Sequence, residues 1–523
     1  MNFEALRGIA QTNDWFLIWP EISLAVFALV LLMAEFAVPA RRQGYLPAAA
    51  LLFQGALGLL LGAVTFQRLQ AGGTDTLVDL PGFAGLIAIS PLGEGMRLFF
   101  LLGSFLVSYL AMLYLRKQEL PRNEMYVLIL IVTAALMLLV HSRNFVMLFV
   151  ALETVTVGFY VLVAYARTSS LSLEAGLKYL ILGALSSAIL LFGIVLLYGA
   201  AGNPELAASS NDALTYAPLQ AFLEANPENL VARVGAVLVL CGIAFKIGTV
   251  PFQIWIPDVY QGAPTPVAAF LAVSSKAAGF LVLLELVRPG SGPLAPLVNQ
   301  GGGMLFALLA AMTLVTILFG NIVAIPQRNV KRLMGLSGIA HAGYLMLGVL
   351  AFAQGVEWAA AAAVFYLFTY LLGSFAVFAV MGHLAGRADD TQELEHYADL
   401  GRRHPALAAV LAIGLGSLAG IPPLAGFIGK FLLFVAAYQA GLHTLLIVAI
   451  AGVVISIYYY FGWVREAYFF RRAEGGEPAR EEPEAPVQTP VLLFGDRVVL
   501  AILAVATVLL GFYQGIFGGW IFG

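Results

Sequence analysis

The chain has 523 residues, of which 61% are apolar and 11% charged, with a formal net charge of −3 and a mean hydropathy of +0.91. Soluble globular chains run at roughly 45–50% apolar and roughly 25% charged, so a disordered chain and a soluble enzyme of ordinary composition are both excluded. No basic tract stands out to bind nucleic acid, and the single cysteine, Cys241, leaves no material for a disulfide framework, a cysteine zinc site or an iron–sulfur ligand set.

Roughly 20 apolar residues carry a helix across hydrocarbon, and only helices or closed barrels satisfy the backbone there. The apolar runs are continuous rather than alternating, which predicts an all-α polytopic membrane protein with no strands. About fourteen transmembrane helices are expected. The first seven are Phe16–Phe36, Leu46–Phe66, Leu98–Leu115, Met125–Val140, Phe145–Tyr165, Leu177–Tyr198 and Val231–Tyr260. The others are Pro266–Val287, Met304–Ile325, Leu333–Phe352, Ala359–Met381, Leu407–Tyr438, Leu445–Val464 and Val498–Phe517. No basic stretch leads into a short apolar run at the N-terminus, so no cleaved leader is expected.

With the N-terminus outside, the loops after odd-numbered spans hold 17 basic residues and the outer set, Arg7, Arg68, Arg97, Arg143, Arg233 and Arg288, holds six. Basic residues collect on the cytoplasmic side, so both termini are expected outside. The whole of 1–523 reads as a single membrane domain. Gly202–Asn229 is a polar outer loop, and 471–490 is a charged, Pro- and Glu-rich stretch that reads as a flexible cytoplasmic linker before the last helix, 498–517. Two five-helix blocks, 122–287 and 302–465, each hold a Pro-broken helix and a lysine: Lys246 with Pro251, and Lys430 with Pro422 and Pro423. Five is odd, so the second block is expected inverted relative to the first.

The chain carries 21 arginines and six lysines, and four of the six, Lys178, Lys246, Lys276 and Lys430, fall inside predicted spans, where no arginine lies away from an end. Arginine keeps its proton in a protein, whereas a desolvated lysine can give its proton up. This partition selects proton chemistry over mere positive charge. Lys276 is mid-span with no route to either surface, and an intramembrane charge is costly and usually functional. Lys246 precedes Gly248-Thr249-Val250-Pro251 and Lys430 follows Gly420-Ile421-Pro422-Pro423, where a proline frees backbone carbonyls. Lys178, near its helix end, can snorkel and can pair with Glu174 at i,i+4.

Glu153 is the carboxylate nearest a span centre. Beside a lysine it would be ionised, and a contact pair at an effective dielectric near 20 is worth on the order of 4 kcal/mol, or about 3 pKa units. Making or breaking such a pair is a proton switch. His341, mid-span, is either a relay or a hydrogen-bonded core histidine. Glu21, Glu35, Glu285 and His383 lie near span ends and are expected at the interface. Gly429-Lys430 fails as a phosphate loop, because Leu424 sits at the first glycine position and Phe431 replaces Ser/Thr. A hydrolase would need a nucleophile–base pair, and Ser186, Ser187 and His341 are far apart in sequence. The residues alone are also compatible with a cation/proton antiporter subunit and with a structural scaffold.

The stretch Phe245-Lys246-Ile247-Gly248-Thr249-Val250-Pro251-Phe252-Gln253-Ile254-Trp255-Ile256-Pro257-Asp258-Val259-Tyr260-Gln261-Gly262-Ala263-Pro264-Thr265-Pro266 resembles the signature of the antiporter-like subunits of respiratory complex I, and its continuation to Ser274-Ser275-Lys276 resembles the subunit N branch. Asn329–Met334, Gly338–Tyr344 and Gly420–Phe431 are similar to the same family, and the resemblance covers nearly the whole chain. It implies that Glu153, Lys246, Lys276, His341 and Lys430 sit at the family's proton-translocating positions, with Glu153 and Lys246 as the switchable pair. Gln253 stands where many members have histidine, so relay there would fall to water. The resemblance further implies a bacterial inner-membrane subunit of a proton-pumping NADH–quinone oxidoreductase. Its partners would be the antiporter-like subunits L and M, the small subunits K and J, and the lipid bilayer. No cofactor is expected in this chain, with NADH, FMN, iron–sulfur clusters and quinone bound by partner subunits.

Overall fold

A computed structural model describes residues 13–71, 80–118, 120, 123–210, 212–298, 303–386, 389, 392–469 and 492–513. The expected linker at 471–490 lies outside the described residues, as do the last residues of the final span. Thirteen described helices are long and apolar enough to cross a membrane. Two shorter apolar helices, Pro405–Ala419 and Ala425–Gln439, stand where the twelfth span is expected. In chain order the helices are α1 (Trp19–Ala37), α2 (Leu46–Ala71), α3 (Pro91–Arg116), α4 (Asn123–Val140), α5 (Phe145–Val163) and α6 (Ser170–Ala201). There follow α7 (Tyr216–Ala225), α8 (Leu230–Ile247), α9 (Ile256–Gly262) and α10 (Thr265–Leu286), the last interrupted by a π-helical turn at Leu271–Ser275. The second half holds α11 (Met304–Ala324), α12 (Val330–Ala353), α13 (Trp358–Leu384), α14 (Pro405–Ala419), α15 (Ala425–Gln439), α16 (His443–Tyr468) and α17 (Phe494–Phe512).

Hydrophobicity all round a helix suits either a protein core or lipid, and burial separates the two uses. The apolar stretches of α10, α12 and α13 are wholly buried, whereas those of α1 and α2 are 28% buried. The three enclosed helices form the centre and the rest form a jacket whose outer face is apolar, as on α6 with Leu177, Leu180, Ile181 and Leu185 exposed.

The two expected breaks are present and share one device. α8 ends at Gly248 (φ 80°) and α14 at Gly420 (φ 83°), both left-handed. In each the next residue's N–H also reaches back to the same carbonyl as the glycine: Thr249 to Ala244 at 3.1 Å and Ile421 to Gly416 at 3.0 Å. A left-handed glycine closing such bonds is a helix stop, and the prolines that follow prevent continuation. The expected seventh span, Val231–Tyr260, is therefore α8 plus α9, and the twelfth, Leu407–Tyr438, is α14 plus α15.

Three expectations are corrected. The continuous apolar runs predict no strands, yet β1 (Leu80–Gly82) pairs antiparallel with β2 (Ile87–Ile89) and caps the bundle end, Ala88 N–H donating to the His141 carbonyl at 2.8 Å. Three-residue strands are too short to show alternation. Second, α3 begins at Pro91 rather than Leu98, with Ser90 as its N-cap accepting from Gly93 N–H at 3.1 Å. Arg97, expected in a loop, is thus in the second turn and 2% exposed. It bonds Glu21 at 2.7 Å and also Glu94, so Glu21 is buried rather than interfacial. Third, the segment 202–229, expected as a polar outer loop, contains α7, whose Tyr216, Leu219, Phe222 and Leu223 are buried.

Candidate functional site

Four of the five expected site residues lie inside the bundle, on or against the helices that burial singles out. Lys276 follows the π-helical turn of α10, and its ammonium donates to the Gly338 carbonyl of α12 at 2.5 Å. It also sits over the Tyr370 ring of α13, 5.4 Å from the centroid. A wide turn of this kind recurs at functional sites in helices. One turn beyond Gly338 on α12 is His341, with its Nδ1 2.5 Å from the Tyr366 hydroxyl and its Nε2 3.1 Å from the Tyr460 hydroxyl. Tyr370 and Tyr344 flank the imidazole at 4.8 and 5.9 Å between centroids.

Lys430, on α15, donates to the Leu418 and Ala419 carbonyls at 2.8 and 3.1 Å. These are last-turn carbonyls of α14, freed by the break, and the negative end of a helix favours a cation. Its ammonium is 5.0 Å from the Tyr344 centroid. Tyr370 thus lies between Lys276 and His341, and Tyr344 between His341 and Lys430. The face of an aromatic ring attracts a cation, so the three titratable groups share two rings. Neutral and charged forms both have partners here: carbonyls and ring faces for ammonium, phenol oxygens for imidazole.

Lys246 occupies the last turn of α8 and donates to the Thr156 hydroxyl of α5 at 2.6 Å. Glu153, half-buried one turn earlier on α5, accepts instead from the Ser187 hydroxyl of α6 at 2.5 Å. No Glu153–Lys246 ion pair forms, although the Glu153 charge is within electrostatic reach of Lys246. The expected direct pair is therefore open, with a hydroxyl holding each member. α8 and α10 touch at Gly279, where an added Cβ would meet Ile247 Cγ1 at 3.0 Å and the Lys246 carbonyl carbon at 3.8 Å. No hydrogen bond joins Lys246 to Lys276 among the described residues. A small cavity lined by Ile243, Ile247, Thr249, Leu283, Met312 and Met346 lies between α8 and the helices packed on it, with neither lysine in its wall. Gln253, in the α8–α9 break, is buried with its Oε1 unpartnered.

Ser187 is committed to Glu153, Ser186 to the Gly242 carbonyl at 3.3 Å, and His341 to two tyrosines, so no serine–histidine pair forms. Lys178 pairs with Glu174 and, unexpectedly, with Asp258 of α9, both at 2.7 Å, while Asp258 also takes Arg332 at 2.7 Å. With a side chain 42% exposed, Lys178 belongs to a surface network rather than to the buried line.

Besides the Arg97 cluster, sequence reasoning missed two further buried polar groupings. Lys331, expected in a loop, is the second residue of α12 and pairs with Asp389 at 2.8 Å, both buried. Asp389 also accepts from the Thr265 backbone N–H and hydroxyl at the head of α10. Nearby, at the end of α3, Lys117 donates to the carbonyls of Gly382, His383 and Ala385 at 2.9–3.0 Å. Burial pushes the Lys117 amine's pKa down, and Asp389 opposes that. The second is Tyr109–His383–Asp496, so His383 too is buried rather than interfacial. Fewer than three His, Cys, Asp or Glu side chains converge anywhere among the described residues in a way that could hold a metal ion.

Residues 142–456 match the family described as NADH:quinone oxidoreductase/Mrp antiporter, transmembrane region. NADH-quinone oxidoreductase subunit N 1 of Opitutus terrae is 54% identical over 522 residues, covering 100% of this chain and 99% of that protein. NADH-quinone oxidoreductase subunit N of Moorella thermoacetica is 37% identical over 90% of this chain and 92% of its own length. Among solved structures, a chain of respiratory complex I from Thermus thermophilus with bound aureothin superposes with a TM-score of 0.73 at 30% identity, over 95% of this chain and 98% of that one. A chain of the Mrp complex from Dietzia sp. DQ12-45-1b shares the fold, with a TM-score of 0.75 at 19% identity over 96% of each chain. The match to the Opitutus terrae protein runs the full length of the helical bundle and through both breaks that hold its lysines. The chain belongs to the NADH:quinone oxidoreductase/Mrp antiporter family of membrane subunits, on the branch of NADH-quinone oxidoreductase subunit N.

Proposed function

We propose that this chain moves protons through the membrane arm of a proton-pumping NADH–quinone oxidoreductase, along Glu153, Lys246, Lys276, His341 and Lys430. The observation that carries this is the unbroken sequence of contacts Lys276–Tyr370–His341–Tyr344–Lys430, which supplies each titratable group with a partner in the bilayer interior. Glu153 and Lys246 act as the switch. When Glu153 leaves Ser187 and meets Lys246, the lysine holds its proton; when they separate, as in this structure, the proton is free to pass to Lys276 through transient water. That entry of water is the gated step, because Lys246 and Lys276 are each held by a different partner, Thr156 and the Gly338 carbonyl, and not by one another.

Electron chemistry falls to partners, which hold the NADH, FMN, iron–sulfur clusters and quinone, and these partners include the antiporter-like subunits L and M and the small subunits K and J. The 17-to-six distribution of basic residues supports an inner-membrane orientation with both termini periplasmic. The equivalent glycine stops at Gly248 and Gly420 support reading 122–287 and 302–465 as two inverted five-helix units. Replacing Lys246 by alanine in the assembled complex tests the reading. Pumping is expected to be lost while assembly persists, and wild-type proton stoichiometry in K246A would refute the role.

A further inference from the structure

Away from the lysine line, at the end of the bundle that carries Lys117, three buried groups from three helices meet on one hydroxyl. Tyr109 of α3 donates to Asp496 Oδ1 of α17 at 3.0 Å, and its oxygen lies 3.2 Å from His383 Nε2 of α13. Tyr109, His383 and Asp496 are all buried. The other Asp496 oxygen accepts from the Leu493 backbone N–H at 2.9 Å, at the start of α17. No lysine or arginine lies within ion-pair distance of Asp496 among the described residues. A buried carboxylate without a counter-ion is costly, and the histidine across the tyrosine is the group placed to offset it.

We propose that Asp496, Tyr109 and His383 bind one exchangeable proton and pass it between α17 and α13, as a collecting site at this end of the subunit. The proposal rests on the proton-carrying reading above. The geometry admits two proton positions with the same heavy atoms. In the first, His383 is an imidazolium that donates through Nε2–H to the Tyr109 oxygen, and the Tyr109 hydroxyl donates to the Asp496 carboxylate. In the second, the Tyr109 proton has moved to Asp496 Oδ1 and the Nε2 proton to the Tyr109 oxygen, leaving neutral imidazole, phenol and carboxylic acid. Two O–H or N–H bonds break and two form, and charge is conserved. A tyrosine bridging a carboxylate and an imidazole is suited to this concerted shift, because it gives and receives a proton without changing its own state.

The location supports collection. Lys117, bonded to the His383 carbonyl at 3.0 Å, lines a cavity with Tyr114, Thr265, Gly382, Ala385 and Asp389. The other charged groups acting on His383 are Arg116 of α3 and Lys117 just past its end, and Arg116 also acts on Tyr109. α14 brings no titratable side chain against α17. Lys430 of α15 is held at the Leu418 and Ala419 carbonyls, and Glu124 of α4 pairs with Arg167.

The test uses the assembled complex in proteoliposomes, with pH-jump infrared difference spectra and NADH-driven pumping across a pH series. The wild type is expected to show a protonated-carboxyl band that D496N removes and that titrates together with a histidine band. Y109F, which keeps the ring and deletes only the bridge, is expected to separate the two titrations. It should also lower pumping at alkaline pH by about tenfold, a modest share of what a positioned proton donor supplies. H383Q provides a second variant with the same expected loss. Unchanged co-titration and an unchanged pH profile in Y109F, or a carboxyl band that D496N leaves in place, overturn the proposal. A fall in thermal stability alone would make the three residues a structural bracket and would equally overturn it. The infrared readout does not depend on Lys246, so its failure is distinguishable from a failure of the lysine-line reading.

Discussion

Gly338→Ala perturbs the line at one atom. A Cβ built on Gly338 falls 2.7 Å from Lys276 Nζ and 3.2 Å from the Tyr370 hydroxyl. An ordinary carbon contact is about 3.5–4 Å, so the ammonium must withdraw by roughly 1 Å and its 2.5 Å bond to the Gly338 carbonyl is lost. Hydrogen bonds to a charged group contribute about 1.5–3 kcal/mol. At about 1.36 kcal/mol per decade, the equilibrium that loads Lys276 changes by a factor of about 10–150. The helix itself tolerates the change, since alanine favours a helix over glycine by roughly 0.5–1 kcal/mol and the atom displaced is the far end of a flexible side chain. The assay is NADH-driven proton uptake by proteoliposomes, with complex assembly read on a native gel. G58A is the control, because nothing lies within 4 Å of its added Cβ. G338A is expected to assemble normally and pump at least tenfold more slowly. Wild-type pumping rates in an assembled G338A complex would refute the role given to the Lys276–Gly338 contact.

Arg97→Met leaves Glu21 and Glu94 facing each other without their shared cation, at side chains 2–3% exposed; breaking a buried pair from one side costs about 3–5 kcal/mol, expected as a lower thermal midpoint for the assembled complex. Lys331→Met is expected to cost a similar amount, about 3–5 kcal/mol, by stranding Asp389. K331M combined with D389N should recover part of that loss, and a strictly additive double-mutant cycle would show that the pair does not act as a unit.

The crossings and both breaks are legible in the sequence because each is local: apolar length decides a span, and a glycine followed by prolines decides a stop. The buried lysines are legible for the same reason. Their partners are not. Tyr366, Tyr370 and Tyr460 reach His341 across 25 residues or more of chain, and sequence spacing places neighbours only within one helix. The expectation of a direct Glu153–Lys246 pair likewise misses Ser187 and Thr156, the hydroxyls that hold each member, which nothing marks out among other serines and threonines of apolar helices. Hydropathy misplaces Arg97 and Lys331 because each charge lowers the local average and makes a helix seem to begin one or two turns late. Their counter-charges, Glu21 and Asp389, come from distant segments that supply the missing solvation.

Enclosure of α10, α12 and α13 insulates Lys276 and His341 from any neighbouring polypeptide. A subunit docked against this one cannot touch them; it can only deform the surrounding helices or alter the field they sit in. Glu153 is different, being half-exposed on α5 while the other four members of the line are buried. It is the member of the proposed row that is partly open to the surroundings of this chain, so a charge brought up or withdrawn next door would act on the row from that end.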